Sequence, residues 1–468
     1  MKWLPVVFFC LVGIGCRQSS LLETQRIEIV LPGDWTVQTS TGYVRSDWWR
    51  EIQSEGLHQW VGQVLEQNHD LRIAALRVKR SRIEARLAEY VNRPQVDVSL
   101  SGNNRQNNYI GLPFGGSGGS RSRFESYGAS AGIRWEMDFW GLLRTGEAIA
   151  VAEANTVVAD QQAAQLSLAA QAVRLWVQHT ESLAQERLAS ESIRLLSQAL
   201  RQLEIRLSAG RAQAVDVRQA MLELAEARSN RLHWSNRTAQ LARSMNILSG
   251  EYPANQLSDS LAASSMPPMP ADVPAGVPAE LLGRRPDLIA ALARVHVANL
   301  RIAEADASLL PRVALTASGG TSSDALKGLV KGDSLIWSIG SSISQTILFP
   351  DEQQAQLGSR TALAEEAVLV YRQRLMQALR EVESALNSGV YLAKQRSQLL
   401  AAVDHAHHVR VLTSKRYEAG LASATMLLAA ERRLLTAQSA LASMRLAEWE
   451  NRINLHLAIG GDLSKEMP

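Results

Sequence analysis

The sequence predicts an α+β membrane protein, mainly long α-helices, with four transmembrane β-strands in each chain. Three observations predict it. The chain is written twice, so its elements come in pairs. Each copy holds a helical stretch far longer than globular proteins use, about 142–208 and about 352–418. Each copy also places, just before that stretch, two segments whose residues alternate apolar and polar, with aromatics near the ends.

The repeat has two registers. Asn68–Gly102 aligns without a gap on Arg285–Gly319 at an offset of 217, matching Asp70 with Asp287, Leu71 with Leu288 and Pro94 with Pro311. Arg206-Leu-Ser-Ala-Gly210 aligns on Arg416-Tyr-Glu-Ala-Gly420 at an offset of 210, and Leu224/Leu434 and Gly250/Gly460 follow in step. Between the copies, Ser258–Pro278 holds five prolines, which fits an extended linker and no helix interior. The expected organisation is a leader over 1–15, an anchored N-terminal segment over 16–56, a first module over 57–250, a linker over 251–280, a second module over 281–461 and a tail over 462–468.

The leader is MKWLPVVFFCLVGIGC: one lysine, then an apolar stretch too short to span a bilayer comfortably. Small residues before Cys16 resemble a bacterial lipobox, which makes Cys16 the expected lipidation (palmitate) site, although Gly13 stands where leucine is usual. Each module then opens with a helix; in the first, Leu57, Val61, Val64, Leu71, Ala74 and Val78 recur near the helical period. Pro94 and Pro311 stop these helices. Val96, Val98 and Leu100 alternate with Gln95, Asp97 and Ser99. After a Gly-rich loop over 111–120, Tyr127 to Phe139 alternates with Ser126 to Asp138. The second copy repeats the pattern through Leu335, Trp337 and Ile339, with Ile336 out of step. The long helices follow. They turn at Gly210 and Gly420, and return as helices of about 40 residues that must pack side by side to bury their apolar stripes.

Geometry adds a constraint. Four strands cannot close a barrel, and lipid does not tolerate open strand edges, so several chains must share one barrel. Helices of roughly 100 Å would extend from it. That is a conduit, with no enzyme cleft implied.

Composition excludes other classes. With 49 Lys+Arg against 46 Asp+Glu there is no basic footprint for nucleic acid. Both cysteines, Cys10 and Cys16, lie in the leader region, so the remainder has no thiolate metal site or thiol nucleophile. No nucleophile–base arrangement stands out among the nine histidines, and no cofactor motif is present. Asp404, His405, His407 and His408 have helical ligand spacing, but mid-helix they read as a solvated face; the sequence leaves metal binding there open.

LLGRRPDLIAALARVHVANLRIAEADASLLPRVALTASGG (281–320), WEMDFWG (135–141) and RYEAGLASATMLLAAERRLLTAQSALA (416–442) resemble the outer membrane factor family, the TolC-like exit ducts of tripartite efflux pumps. The lipobox, SDWWREI (46–52) and the Pro-rich linker place the chain nearest the NodT/OprM-like lipoproteins. The resemblance implies a homotrimer whose strands form a shared 12-stranded barrel, with an α-helical periplasmic barrel below it. It also implies a periplasmic adaptor, an inner-membrane pump of RND type, outer-membrane lipid around the barrel, and neither catalysis nor cofactor. By the same resemblance, Arg206, Gly210, Arg416 and Gly420 mark the hairpin tips where the adaptor docks. Asp216 and Tyr417 stand where the family bonds one hairpin to the other. Ala422 replaces the family's arginine, and Met426 and Ala429 replace its acidic rings, which suggests an apolar periplasmic gate at Met426. Two other readings remain: the exit channel of a type I protein secretion system, and a periplasmic coiled-coil scaffold.

Overall fold

The computed structural model describes residues 31–37, 45, 47–109, 120–257, 266–269, 273–345 and 351–460. Cys16, the leader, the loop 111–119 and the tail 462–468 lie outside them. In chain order, the main elements are α1 (Glu55–Gln67), α2 (His69–Val91), β1 (Gln95–Tyr109), β2 (Ser120–Met137), α3 (Leu142–Ser208) and α4 (Ala214–Leu248). The second copy supplies α5 (Pro286–Ala307), β3 (Arg312–Ser323), β4 (Leu335–Ser344), α6 (Asp351–Glu418) and α7 (Ala424–Ile459).

One expected element is split. The apolar period running from Leu57 to Val78 belongs to two helices, because Asn68 is extended (ψ 129°) and ends α1. Its side chain takes over two backbone groups: Oδ1 accepts from Leu71 N at 3.1 Å, and Nδ2 donates to Leu248 O at 2.9 Å. A cap of this kind satisfies helix-end groups that would otherwise be orphaned. The strands also run further than the alternation suggests, β1 to Tyr109 and β2 from Ser120.

The described residues fall into two compact units, each built from matching pieces of both repeats. The first holds Lys79–Thr156 and Leu292–Val370. Its centre is an antiparallel sheet in the order β1-β2-β3-β4. The register puts Val96, Ile133, Ala317 and Ile339 in one row across all four strands, and Val98 beside Ala131. Because side chains alternate along a strand, this face is apolar and the other polar. The polar face carries Arg134, Glu136 and Arg312, and two serine pairs bridge it, Ser99–Ser130 at 2.9 Å and Ser318–Ser338 at 2.8 Å. On the apolar face Leu100, Trp337 and Ile339 are 83%, 74% and 80% exposed. Among the described residues nothing covers them.

The junctions at the foot of the sheet repeat as the sequence does. Trp135 Nε1 donates to Asn92 O at 3.2 Å, and Gln345 Nε2, 210 positions later, donates to Leu309 O at 3.3 Å, 217 positions after Asn92. The WEMDFWG turn ends in a helix cap. Asp138 accepts from Leu143 N and Arg144 N at 3.2 and 2.9 Å, and Trp140 Nε1 donates to Pro311 O at 2.7 Å. Burial works against the Asp138 carboxylate, but the Arg144 and Leu143 hydrogen bonds outweigh it and hold its pKa below the usual value.

The second unit is helical, with two cores of parallel construction. In one, Val64 of α1, Ala172 and Trp176 of α3 and Met245 of α4 pack together; in the other, their repeat equivalents Leu281, Val382, Leu386 and Leu455 do so. The first core is rich in tryptophan: Trp48, Trp49, Trp60, Trp176 and Trp449. Trp60 Nε1 donates to Ala172 O at 3.2 Å. The helix ends also match. Arg285, equivalent to Asn68, donates to Ala458 O at 3.0 Å, equivalent to Leu248 O. Arg285 is 7% exposed and also pairs with Asp287 and Glu381, each at 2.8 Å. Burial costs its guanidinium solvation, but these two carboxylates more than compensate and raise its pKa, while Arg285 holds the Asp287 carboxyl below its usual value against burial. Gly250 and Gly460 have φ of 77° and 76°, the left-handed conformation glycine adopts without a steric penalty.

Candidate functional site at the helix-hairpin tips

Both long hairpins turn through one device. At the first tip, Arg211 N donates to Arg206 O at 2.7 Å and Gly210 N to Leu207 O at 3.0 Å. At the second, Leu421 N donates to Arg416 O at 2.8 Å and Gly420 N to Tyr417 O at 3.0 Å. This is the Schellman pattern, and it needs φ > 0 at the glycine; Gly210 and Gly420 have φ of 71° and 73°. The helices that follow are capped differently. Asp216 reaches back, Oδ2 accepting from Gln213 N at 3.2 Å. At the second tip Ser423 Oγ accepts from Met426 N at 3.2 Å. Asp216 and Met426 are repeat equivalents, so one copy caps its return helix with a carboxylate and the other presents a thioether at the same place.

The two tips meet through Arg206 and Tyr417. The Arg206 guanidinium lies over the Tyr417 ring, 4.3 Å from its centroid, and Tyr417 is 7% exposed. Among the described residues no hydrogen bond joins Asp216 to Tyr417. A small core supports the contact: Leu196, Leu203, Val217, Ala220 and Leu224 of the first hairpin pack with Leu428 of the second. Apolar side chains remain uncovered at the tips, notably Met426 at 61% and Leu421 at 70% exposure. Above them, α3, α4 and α7 border a cleft of about 430 Å³ lined by Leu188, Leu195, Glu226, Asn230 and Glu431 among others.

Sequence reasoning marked Arg206 and Tyr417 separately, as tip and gate. Nothing in a single sequence says that they stack, because they are 211 positions apart and not repeat equivalents. The histidine cluster is a simple exposed helix face: His408 Nδ1 lies 3.4 Å from Asp404 Oδ2, and no group of three possible ligands forms a metal site among the described residues.

A duplicated chain with a four-stranded sheet, one face apolar and uncovered, and two long helical hairpins defines an outer-membrane channel protomer. The chain belongs to the outer membrane efflux protein family, whose profile matches residues 60–250 and 277–461. It is 29% identical over 403 residues to the toluene efflux pump outer membrane protein TtgI of Pseudomonas putida, covering 86% of this chain and 84% of that one. It is 26% identical over 475 residues to the cation efflux system protein CusC of Escherichia coli, covering 98% of each. Its fold matches the CmeC outer membrane channel of Campylobacter jejuni with a TM-score of 0.84 at 21% identity, over 94% of this chain and 95% of the other. It matches the open state of the MtrE channel of Neisseria gonorrhoeae at 0.77 and 24% identity, over 94% and 96%. The chain is therefore an outer-membrane exit duct of a tripartite efflux pump, and not an enzyme. Its partners are of the tripartite kind, an adaptor and a pump.

Proposed function

We propose that three copies of this chain close one 12-stranded barrel, that Cys16 carries a lipid anchor, and that the two tips form a periplasmic gate. The uncovered sheet carries this reading. β1 and β4 are its edges, and its apolar face lies open, so within lipid both edges require strands from further copies. The partners are a periplasmic adaptor, which contacts Arg206, Gly210, Arg416 and Gly420, and an inner-membrane pump of RND type. The relatives are named for cargoes as unlike as toluene and cations, which supports a duct whose pump does most of the choosing.

The gate works by competition between two arrangements of the tips. In the closed one, Arg206 holds Tyr417 and apolar residues near Met426 narrow the entrance. A cation over an aromatic ring contributes about 0.5–2 kcal/mol, and three such contacts multiply. An adaptor opens the gate only by binding the open arrangement more tightly. Asp216 only caps the start of α4 and takes no part in the lock.

Planar-bilayer recording tests this. Asp216→Ala with Tyr417→Phe is expected to leave conductance near the wild-type value, because the phenol ring still accepts Arg206. Arg206→Ala is expected to raise it and to sensitise cells to vancomycin. A large rise in the first variant with none in the second would put the lock on an Asp216–Tyr417 bond instead. A folded monomer in mild detergent would refute the shared barrel, and an unmodified mature N-terminus by mass spectrometry would refute lipidation at Cys16.

A further inference from the structure

We propose that the foot of the sheet in the second repeat is a binding station for soluble organic anions, solutes bearing a carboxylate or phosphate group. A polar pocket of about 730 Å³ opens there between the end of α5, the start of β3, the end of β4 and the start of α6. It has the size of a small-molecule site. Arg301, Arg312 and Arg360 line it, with Gln353, Gln356 and Glu304. Arg301 is held by Glu153. Arg312 and Arg360 have no acidic partner among the described residues. Both guanidinium groups line the same cavity, and each fork matches the planar geometry of a carboxylate or phosphate. Glu304 and the glutamine amides add groups for flanking hydroxyls or amines.

The duplication shows that this charge is not required by the fold. At the equivalent places the first repeat has Gln95 for Arg312, Ala150 for Arg360, Glu84 for Arg301, Leu143 for Gln353, Gly146 for Gln356 and Leu87 for Glu304. The same strand–helix junction is therefore built twice, once without these arginines and once with them.

The pocket's place in the sheet identifies its ligand as a solute and not a lipid headgroup. Arg312 pairs directly with Ser344, and both lie on the polar face, in the row parity of Ser318–Ser338. Val313 and Ile343, one residue along, lie on the opposite, apolar face that suits lipid. A passing solute meets the polar face. The route past the pocket rests on the duct reading; the binding itself does not.

Tripolyphosphate is a suitable probe, titrated calorimetrically into the full-length protein in detergent. Wild type is expected to bind it, more weakly as salt rises. Arg312→Gln with Arg360→Gln is expected to weaken binding by about ten-fold or more. Arg433→Gln, an exposed arginine of α7 outside the pocket, is expected to leave it unchanged. No binding by wild type, or equal losses in the Arg433 variant, would overturn the assignment. So would loss of co-purifying phosphatidylglycerol in the double variant without any tripolyphosphate binding, since the pocket would then hold a headgroup. In bilayers under a salt gradient, the double variant is expected to show a lower anion-to-cation permeability ratio, and an unchanged ratio would count against the proposal. A protein that binds tripolyphosphate with the expected arginine dependence but opens no conductance supports the site and fails the duct.

Discussion

Acidification should loosen the N-terminal segment through a single side chain, His456. Its ring lies flat on Trp48, centroids 4.4 Å apart and planes within 8°, and it is 4% exposed. Burial strips water from the imidazolium, and Arg452 adds repulsion, so the pKa falls from 6.5 to about 3. Nδ1 of His456 and Nε1 of Trp48 are both buried without a hydrogen-bond partner among the described residues, so no hydrogen bond rewards protonation, and the Trp48 face offsets only part of the burial cost. The sign follows from linkage. Between pH 6.5 and about 3 the unfolded chain binds the proton and the folded chain does not, so stability falls as pH falls through that window. The loss is about 1 kcal/mol at pH 6 and about 3 kcal/mol at pH 4. Above the window the loss falls to zero, since neither state then holds the proton. His456→Phe keeps a stacking ring and removes the titration. Urea unfolding of the detergent-solubilised protein at pH 4 and pH 7 measures it. The stability difference between wild type and His456→Phe should change by about 3 kcal/mol between the two pH values. Arg452 stays charged throughout and cannot produce that change. A difference independent of pH would refute the argument and mean that water reaches the His456 ring.

Two further substitutions separate backbone strain from contact. Gly460→Ala places a Cβ 2.6 Å from Arg284 O at a φ of 76° and should cost about 3 kcal/mol or more, whereas Gly210→Ala, with φ 71° and open space around it, should cost only about 1–2 kcal/mol; unfolding midpoints decide. Arg285→Ala strands Asp287, Glu381 and Ala458 O together and should cost about 3 kcal/mol, while Arg285→Asn, which copies Asn68 of the first repeat and can still donate to Ala458 O, should recover part of that loss in the same assay.

The repeat made most of the architecture legible. Two copies of helix, strand pair and long hairpin follow from local signals: proline stops at Pro94 and Pro311, period-two alternation from Tyr127 to Met137, and glycine at the positive-φ positions 210 and 420. These work because each depends on a residue and its near neighbours in the chain. The break at Asn68 was hidden because the apolar spacing runs through it unbroken. Its cause is a bond to Leu248, 180 positions away.

Element order, the alternating faces of the sheet and the turns at the tips are all written in local pattern, since sterics and side-chain period act between near neighbours in the chain. Which side chains meet is settled only in the folded molecule. Arg206 over Tyr417, Trp48 on His456 and the arginines gathered at the foot of β3 each join elements that are distant along the chain. Their pairing depends on how the repeats pack, a property of the folded core that no local pattern encodes.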